Sequence, residues 1–207
     1  MTASIFHKPL LGAVVLAAGV LGTGTALATP TLNPSNGHYY EAVLVPGGLT
    51  WGDANAAAIA AGGHLATPMD AAENAFIFAL VDSAAFFTSV SVNNDIVGPW
   101  LGIYSNASSV GSFQYVTGGA LGSYAPWGPG QPDAFGGGAQ GVNFYAGINR
   151  GSTWGDQPQL GLAGFELPHG YVIEYISAPV PEPAALLLML VGLAGVAAVR
   201  ARAARRD

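Results

Sequence analysis

Apolar positions recur at helical spacing in two early segments of the chain. Residues 49–61 place Thr50 where an N-cap belongs, Asp53 at the capping-box position and alanines through the following turns, and Gly62-Gly63 closes the segment. A second helix is predicted from Asp70 or Ala71 to Val81, with Phe76, Ile77, Leu80 and Val81 on its apolar side. Beyond it the pattern shortens. Residues 38–45, 100–104, 113–116, 142–146 and 171–176 are short runs rich in β-formers. Stretches rich in Gly, Ser and Pro at 33–37, 105–112 and 118–138 read as loops between them. Two early helices followed by short strands and long glycine-rich loops predict an α+β fold without internal repeats.

The two ends follow another pattern. After His7 and Lys8, an apolar stretch over 10–21 leads to Ala26-Leu27-Ala28, the small-x-small site that a signal peptidase accepts. Residues 1–28 therefore read as a signal peptide cleaved after Ala28. At the other end Pro181-Glu182-Pro183 precedes an apolar run over 184–199, and Arg200, Arg202, Arg205 and Arg206 follow. As a helix that run spans about 24 Å, slightly short for a hydrocarbon core of roughly 30 Å. The arginines hold its far end on the cytoplasmic side, so residues 184–199 read as a transient membrane anchor. Residues 29–180 remain as one domain, large enough for one core.

Composition narrows the chemistry. Charged residues are 9% of the chain, against roughly 25% in an average soluble protein. Between residues 9 and 199, Arg150 is the only basic side chain against eleven acidic ones. Such a body cannot neutralise phosphates, which excludes nucleic-acid binding. The absence of cysteine removes thiol catalysis, cysteine-ligated metals and disulfides. Trp51, Trp100 and Trp154 read as core residues, whereas Trp127 and Phe135 flank the long loop. His38 and His169 have no metal-ligand spacing, and Arg150 reads as a surface ion-pair partner. A glycosidase built on Asp133 and Asp156 needs a cleft and an acid of raised pKa. No sequence feature supplies either, so the chain is not expected to be an enzyme.

Seven short motifs, in order, carry a resemblance. Residues 38–45 lead to Thr50-Trp51, then to Gly63-His64-Leu65-Ala66-Thr67 and Trp100-Leu101-Gly102-Ile103. Trp127 precedes Gln131-Pro132-Asp133, Trp154-Gly155-Asp156 follows, and Tyr171-Val172-Ile173-Glu174 closes the series. This body resembles a C-type lectin-like domain over nearly its whole length. The last 27 residues, 181–207, resemble the PEP-CTERM sorting signal of Gram-negative bacteria. In that family an exosortase removes the tail, and the product goes to the cell envelope or exopolysaccharide matrix.

The lectin resemblance implies sugar recognition through calcium, a hard ion that takes six to eight oxygens and exchanges water for hydroxyls. By it, the proline after Gln131 is cis, and Gln-Pro-Asp is the galactose-type triplet. Phe135 before Gly136-Gly137-Gly138 stacks on the sugar. The implied carbohydrate-binding residues are Gln131, Asp133, Phe135, Asp156 and Trp127. The implied metal ligands are Gln131, Asp133, Asp156 and Gln140, with Asn143 a weaker candidate. Two departures weaken the calcium site, because Ala139 stands where the family has a glutamate ligand and Gly155 where it has an asparagine. The expectation is an exported envelope or matrix module that recognises a glycan, with signal peptidase and exosortase as processing partners. The alternative is a calcium-independent structural or adhesive matrix protein on the same fold.

Overall fold

The computed structural model describes residues 29–90, 95–106 and 111–179. The expected signal peptide, the Pro-Glu-Pro run and the apolar tail lie outside the described residues. Both expected helices form: α1 (Trp51–Ala60) and α2 (Ala71–Val81). Thr50 Oγ1 accepts from the Asp53 amide at 3.1 Å, and Asp70 Oδ1 accepts from the Glu73 amide at 2.9 Å. Each cap satisfies an amide that has no partner within its helix. Ile77 and Val81 of α2 are buried and Phe76 and Leu80 half-buried, as the spacing predicts. Glu73 and Asn74 are buried as well, which apolar periodicity alone does not show.

The strands are β1 (Thr31–Leu32), β2 (Tyr39–Leu44), β3 (His64–Leu65), β4 (Thr88–Ser89), β5 (Ile96–Ser105), β6 (Gln114–Tyr115), β7 (Gln140–Ala146), β8 (Asn149–Pro158) and β9 (Gly170–Tyr175). They form a sheet in the order β1-β2-β9-β5-β7-β8, with β3 beside β9 and both β4 and β6 beside β5. Pairing is antiparallel except where β5 meets β9 at Trp100 and Tyr171. The sequence pattern misses β8, because ten residues containing Gly151, Gly155 and several polar side chains do not alternate. Register with β7 makes the strand: Val142 lies opposite Asp156 and Phe144 opposite Trp154.

The core lies in two larger apolar clusters, one around Ile77, Leu101, Phe144 and Trp154, the other around Trp51, Ala54, Trp100 and Ile173, and a small third one of Val90, Val97 and Tyr145. The three core indoles also act as pins. Trp51 donates to the Leu101 carbonyl at 2.9 Å, Trp100 to the Leu49 carbonyl at 2.8 Å, and Trp154 to Asn74 Oδ1 at 2.8 Å. Each buried N–H thus keeps a partner. Gly102 explains one motif position: a Cβ there would stand 2.2 Å from the Leu65 carbonyl oxygen. Only glycine lets β5 approach the backbone after α1 so closely.

Candidate functional site

The long loop between β6 and β7 is anchored on β8. Gly128 donates to the Trp154 carbonyl at 2.7 Å, and the Trp154 amide donates to the Pro126 carbonyl at 2.9 Å. This sets residues 131–135 against the far half of β8. The Gln131–Pro132 bond is cis. Gln131 Oε1 accepts from the Asp156 amide at 3.0 Å. Asp156 in turn accepts from the Asp133 amide at 2.9 Å and the Ala134 amide at 3.0 Å, one per carboxylate oxygen. Asp133 Oδ1 accepts from the Phe135 amide at 3.0 Å. Side-chain oxygens therefore lace the loop to the strand through backbone amides. Asp156 is buried, and that burial pushes its carboxyl above the usual range. The amide bonds oppose the shift and the Asp133 charge adds to it.

A hollow of about 130 Å³ opens beside this lacing. Gln131, Asp133 and Asp156 line it together with Asp95 and Asn143. Its apolar side includes Phe135, Phe165 and Tyr145. Phe135 is 52% exposed, and its ring centroid lies 5.6 Å from that of Phe165. Burial, and then the charge of Asp95 and a hydrogen bond to it, raise the Tyr145 phenol above its ordinary pKa. Asn143 is 1% exposed. Its Nδ2 donates to Gln157 Oε1 at 3.5 Å, whereas its Oδ1 accepts no hydrogen bond from the protein.

Of the residues expected from sequence, Gln131, Asp133, Phe135 and Asp156 come together here. Trp127 does not join them. Its ring packs 5.0 Å from Phe113 and 5.9 Å edge-on to Trp154, on the core side of the loop. Gln140 does not join them either. It is fully buried and donates to the carbonyls of Gly137 at 2.8 Å and Gly138 at 3.3 Å, closing the glycine turn on itself. Asp95, Tyr145 and Phe165 were not legible as site residues, since they arrive from the position just before β5, from β7 and from the segment before β9. Asn143, a polar position inside the apolar run 142–146, carried the one sequence signal.

The residues present do not make the calcium shell that the resemblance implies. A Cβ at position 155 would lie 2.9 Å from both Cβ and Cγ of Tyr145 and 3.4 Å from Gln131 Oε1. The tyrosine fills the space an asparagine ligand needs. Gln140 faces elsewhere, and Gln131 Oε1 and both Asp156 oxygens already accept amides. Of the implied ligands Gln131, Asp133 and Asp156 remain at the hollow, fewer protein oxygens than the resemblance calls for. Gly155→Asn is accordingly expected to destabilise the fold by about 1–3 kcal/mol through overpacking and to confer no calcium affinity. Denaturant unfolding with and without calcium checks both. Nor is Asp156 placed as a general acid, because an amide N–H already points at each oxygen that would carry the proton.

A second polar group lies across the sheet. His38 Nδ1 contacts Glu174 Oε1 at 2.7 Å, and Glu174 Oε2 accepts from the Thr67 amide and hydroxyl at 2.9 and 3.0 Å. Glu73 accepts from the Tyr40 hydroxyl at 2.5 Å, from Asn36 at 3.1 Å and from the Met69 amide at 2.8 Å. Among the described residues, His38, Glu73 and Glu174 are the set whose ligand-type atoms all lie within 4.8 Å of one another. In this structure those atoms are committed to joining β2, β9 and the entry to α2.

Residues 179–206 match the model of the PEP-CTERM protein-sorting motif, a signal for export and membrane-anchored sorting. Among the described residues no helix is long and apolar enough to cross a membrane. No curated protein matches the sequence. Among solved structures the chain is similar to a calcium-independent type II antifreeze protein, with 19% identity and a TM-score of 0.50 over 73% of this chain and 97% of that one. It is also similar to human lithostathine, with 20% identity and a TM-score of 0.51 over 70% of this chain and 87% of that one. The architecture is the C-type lectin-like fold, here without disulfides.

Proposed function

We propose that the chain is an exported, non-enzymatic module that binds a glycan of the cell envelope or exopolysaccharide matrix through the hollow beside β8. The observation that carries this reading is Phe135, half exposed, backed by Phe165 and bordered by the oxygens of Asp133, Asp95 and Asn143. A sugar ring presents an apolar C–H face and a rim of hydroxyl donors. The exposed ring takes the face, and the acceptors take the rim. Hydrogen bonds through Asp156 and Gln131 hold the loop, so recognition proceeds without calcium. In the same reading, signal peptidase cleaves after Ala28, residues 29–180 form the binding domain, and 181–207 are the signal that exosortase processes in a Gram-negative envelope.

The test is glycan binding by the full-length chain in detergent, with calcium and with chelator. Binding is expected to survive chelation and to weaken about tenfold in Phe135→Ala, the loss of roughly one stacking contact. A saturable calcium heat that disappears in Asp133→Asn would restore the calcium-bridged mechanism. Retention of no glycan at all would leave the structural or adhesive alternative.

A further inference from the structure

The hollow is one-sided in its chemistry. Its charged lining consists of carboxylates, those of Asp95, Asp133 and Asp156. Among the described residues Arg150 is the one arginine or lysine, and it pairs with Asp82 at 3.1 Å, away from the hollow. A neutral sugar does not need so much negative charge beside an aromatic wall. The amide lining adds one acceptor of the same sense: Asn143 carries a buried Oδ1 that accepts nothing from the protein, whereas Gln131 Oε1 is taken by the Asp156 amide. The Asn143 orientation follows from its neighbour: Gln157 donates its Nε2 to the Glu166 carbonyl at 3.4 Å, which turns Gln157 Oε1 toward Asn143 Nδ2. An acceptor-lined hollow walled by Phe135, Phe165 and Tyr145 is complementary to a group with several N–H donors and a positive charge. Carboxylates supply the Coulomb attraction, and ring faces add cation–π attraction.

We infer that the ligand is an amino sugar bearing a free, protonated amine, with the sugar ring on Phe135 and the ammonium turned toward Asp133, Asp95 and Asn143 Oδ1. This rests on the glycan reading above and names its substrate class. An ammonium needs fewer oxygens than calcium does. Three acceptors satisfy its three donors.

The probes are galactosamine and glucosamine oligosaccharides of equal length, each with free amines and fully N-acetylated, titrated into the full-length chain in detergent. The free-amine form of at least one sugar is expected to bind at least tenfold more tightly than its N-acetylated partner. That margin is expected to shrink as salt rises. Asp133→Asn keeps an oxygen for the Phe135 amide while removing the charge, and is expected to cancel most of the preference. Phe135→Ala changes no charge and is expected to weaken binding of the free-amine form about tenfold. Diffuse attraction between an acidic protein and a polycation would ignore Phe135→Ala, and that result overturns the inference. Equal or tighter binding of the N-acetylated form also overturns it, while leaving the glycan reading in place. If none of the four sugars nor a neutral galactoside binds, the glycan reading falls as well.

Discussion

Replacing Glu174 with alanine is expected to remove about 3–5 kcal/mol of folding stability. Glu174 is 3% exposed on β9, and Thr67 and His38 depend on it for hydrogen bonds. The Thr67 amide and hydroxyl donate to one oxygen and His38 contacts the other, while His64 Nδ1 lies 3.9 Å away. Alanine leaves a buried amide and a buried hydroxyl without an acceptor, each costing about 1–3 kcal/mol when unsatisfied. The loss falls where β3 joins β9 through the His64–Glu174 and Leu65–Ile173 pairs. Glu174→Gln retains an oxygen for the Thr67 amide and is expected to cost only about 1–2 kcal/mol. Urea unfolding with linear extrapolation separates the two variants. An alanine variant within 1 kcal/mol of the native chain would mean that solvent takes over these donors readily.

Trp154→Ala is the other large effect, expected at about 3–5 kcal/mol. The ring is fully buried, edge-on to Tyr124 at 5.7 Å and to Trp127 at 5.9 Å, and its N–H holds Asn74 of α2. Truncation leaves a cavity and also strands Asn74 Oδ1. The backbone of the same residue holds the long loop through Pro126 and Gly128. Loss of the ring under Trp127 is therefore expected to loosen residues 131–135 and to weaken glycan binding along with stability. Phe135→Ala, by contrast, removes a half-exposed ring and is expected to leave stability within about 0.5 kcal/mol. Measuring unfolding and binding for both variants tells a scaffold effect from a contact effect. Trp154→Ala with full stability would mean that the loop is held from elsewhere.

The helices were legible because their signals are local. Thr50 and Asp53 lie three residues apart, as do Asp70 and Glu73, and each pair closes a cap within one turn. The indole positions were legible as core because large rings have nowhere else to go in a chain so poor in charge. β8 was not legible: its residues are polar and glycine-containing, and only pairing with β7 makes them extended. Glu73 and Glu174 read as ordinary acids, yet they are buried at 8% and 3% exposure. What tolerates them is a set of donors from Asn36, Tyr40, Thr67 and Met69 that assembles only in the folded chain.

The candidate site divides the same way. Gln131, Asp133, Phe135 and Asp156 stand out in sequence because three sit within five residues and the fourth belongs to a motif of known order. Whether they hold a metal is a question of volume and of which lone pairs remain, and neither is written locally. Tyr145 lies ten residues from Gly155, but across the β7–β8 pair its ring occupies the space a ligand at 155 would need. Gln140 lies near the loop in sequence, yet the glycine turn draws its amide inward. By itself, then, the sequence determined the sorting motif, the helix caps, the core rings and the absence of disulfides, since each depends on residue type and short spacing. Only the tertiary structure decided which oxygens are already spent on backbone amides and which face the hollow, because long-range packing distributes hydrogen bonds and space among residues far apart in the chain.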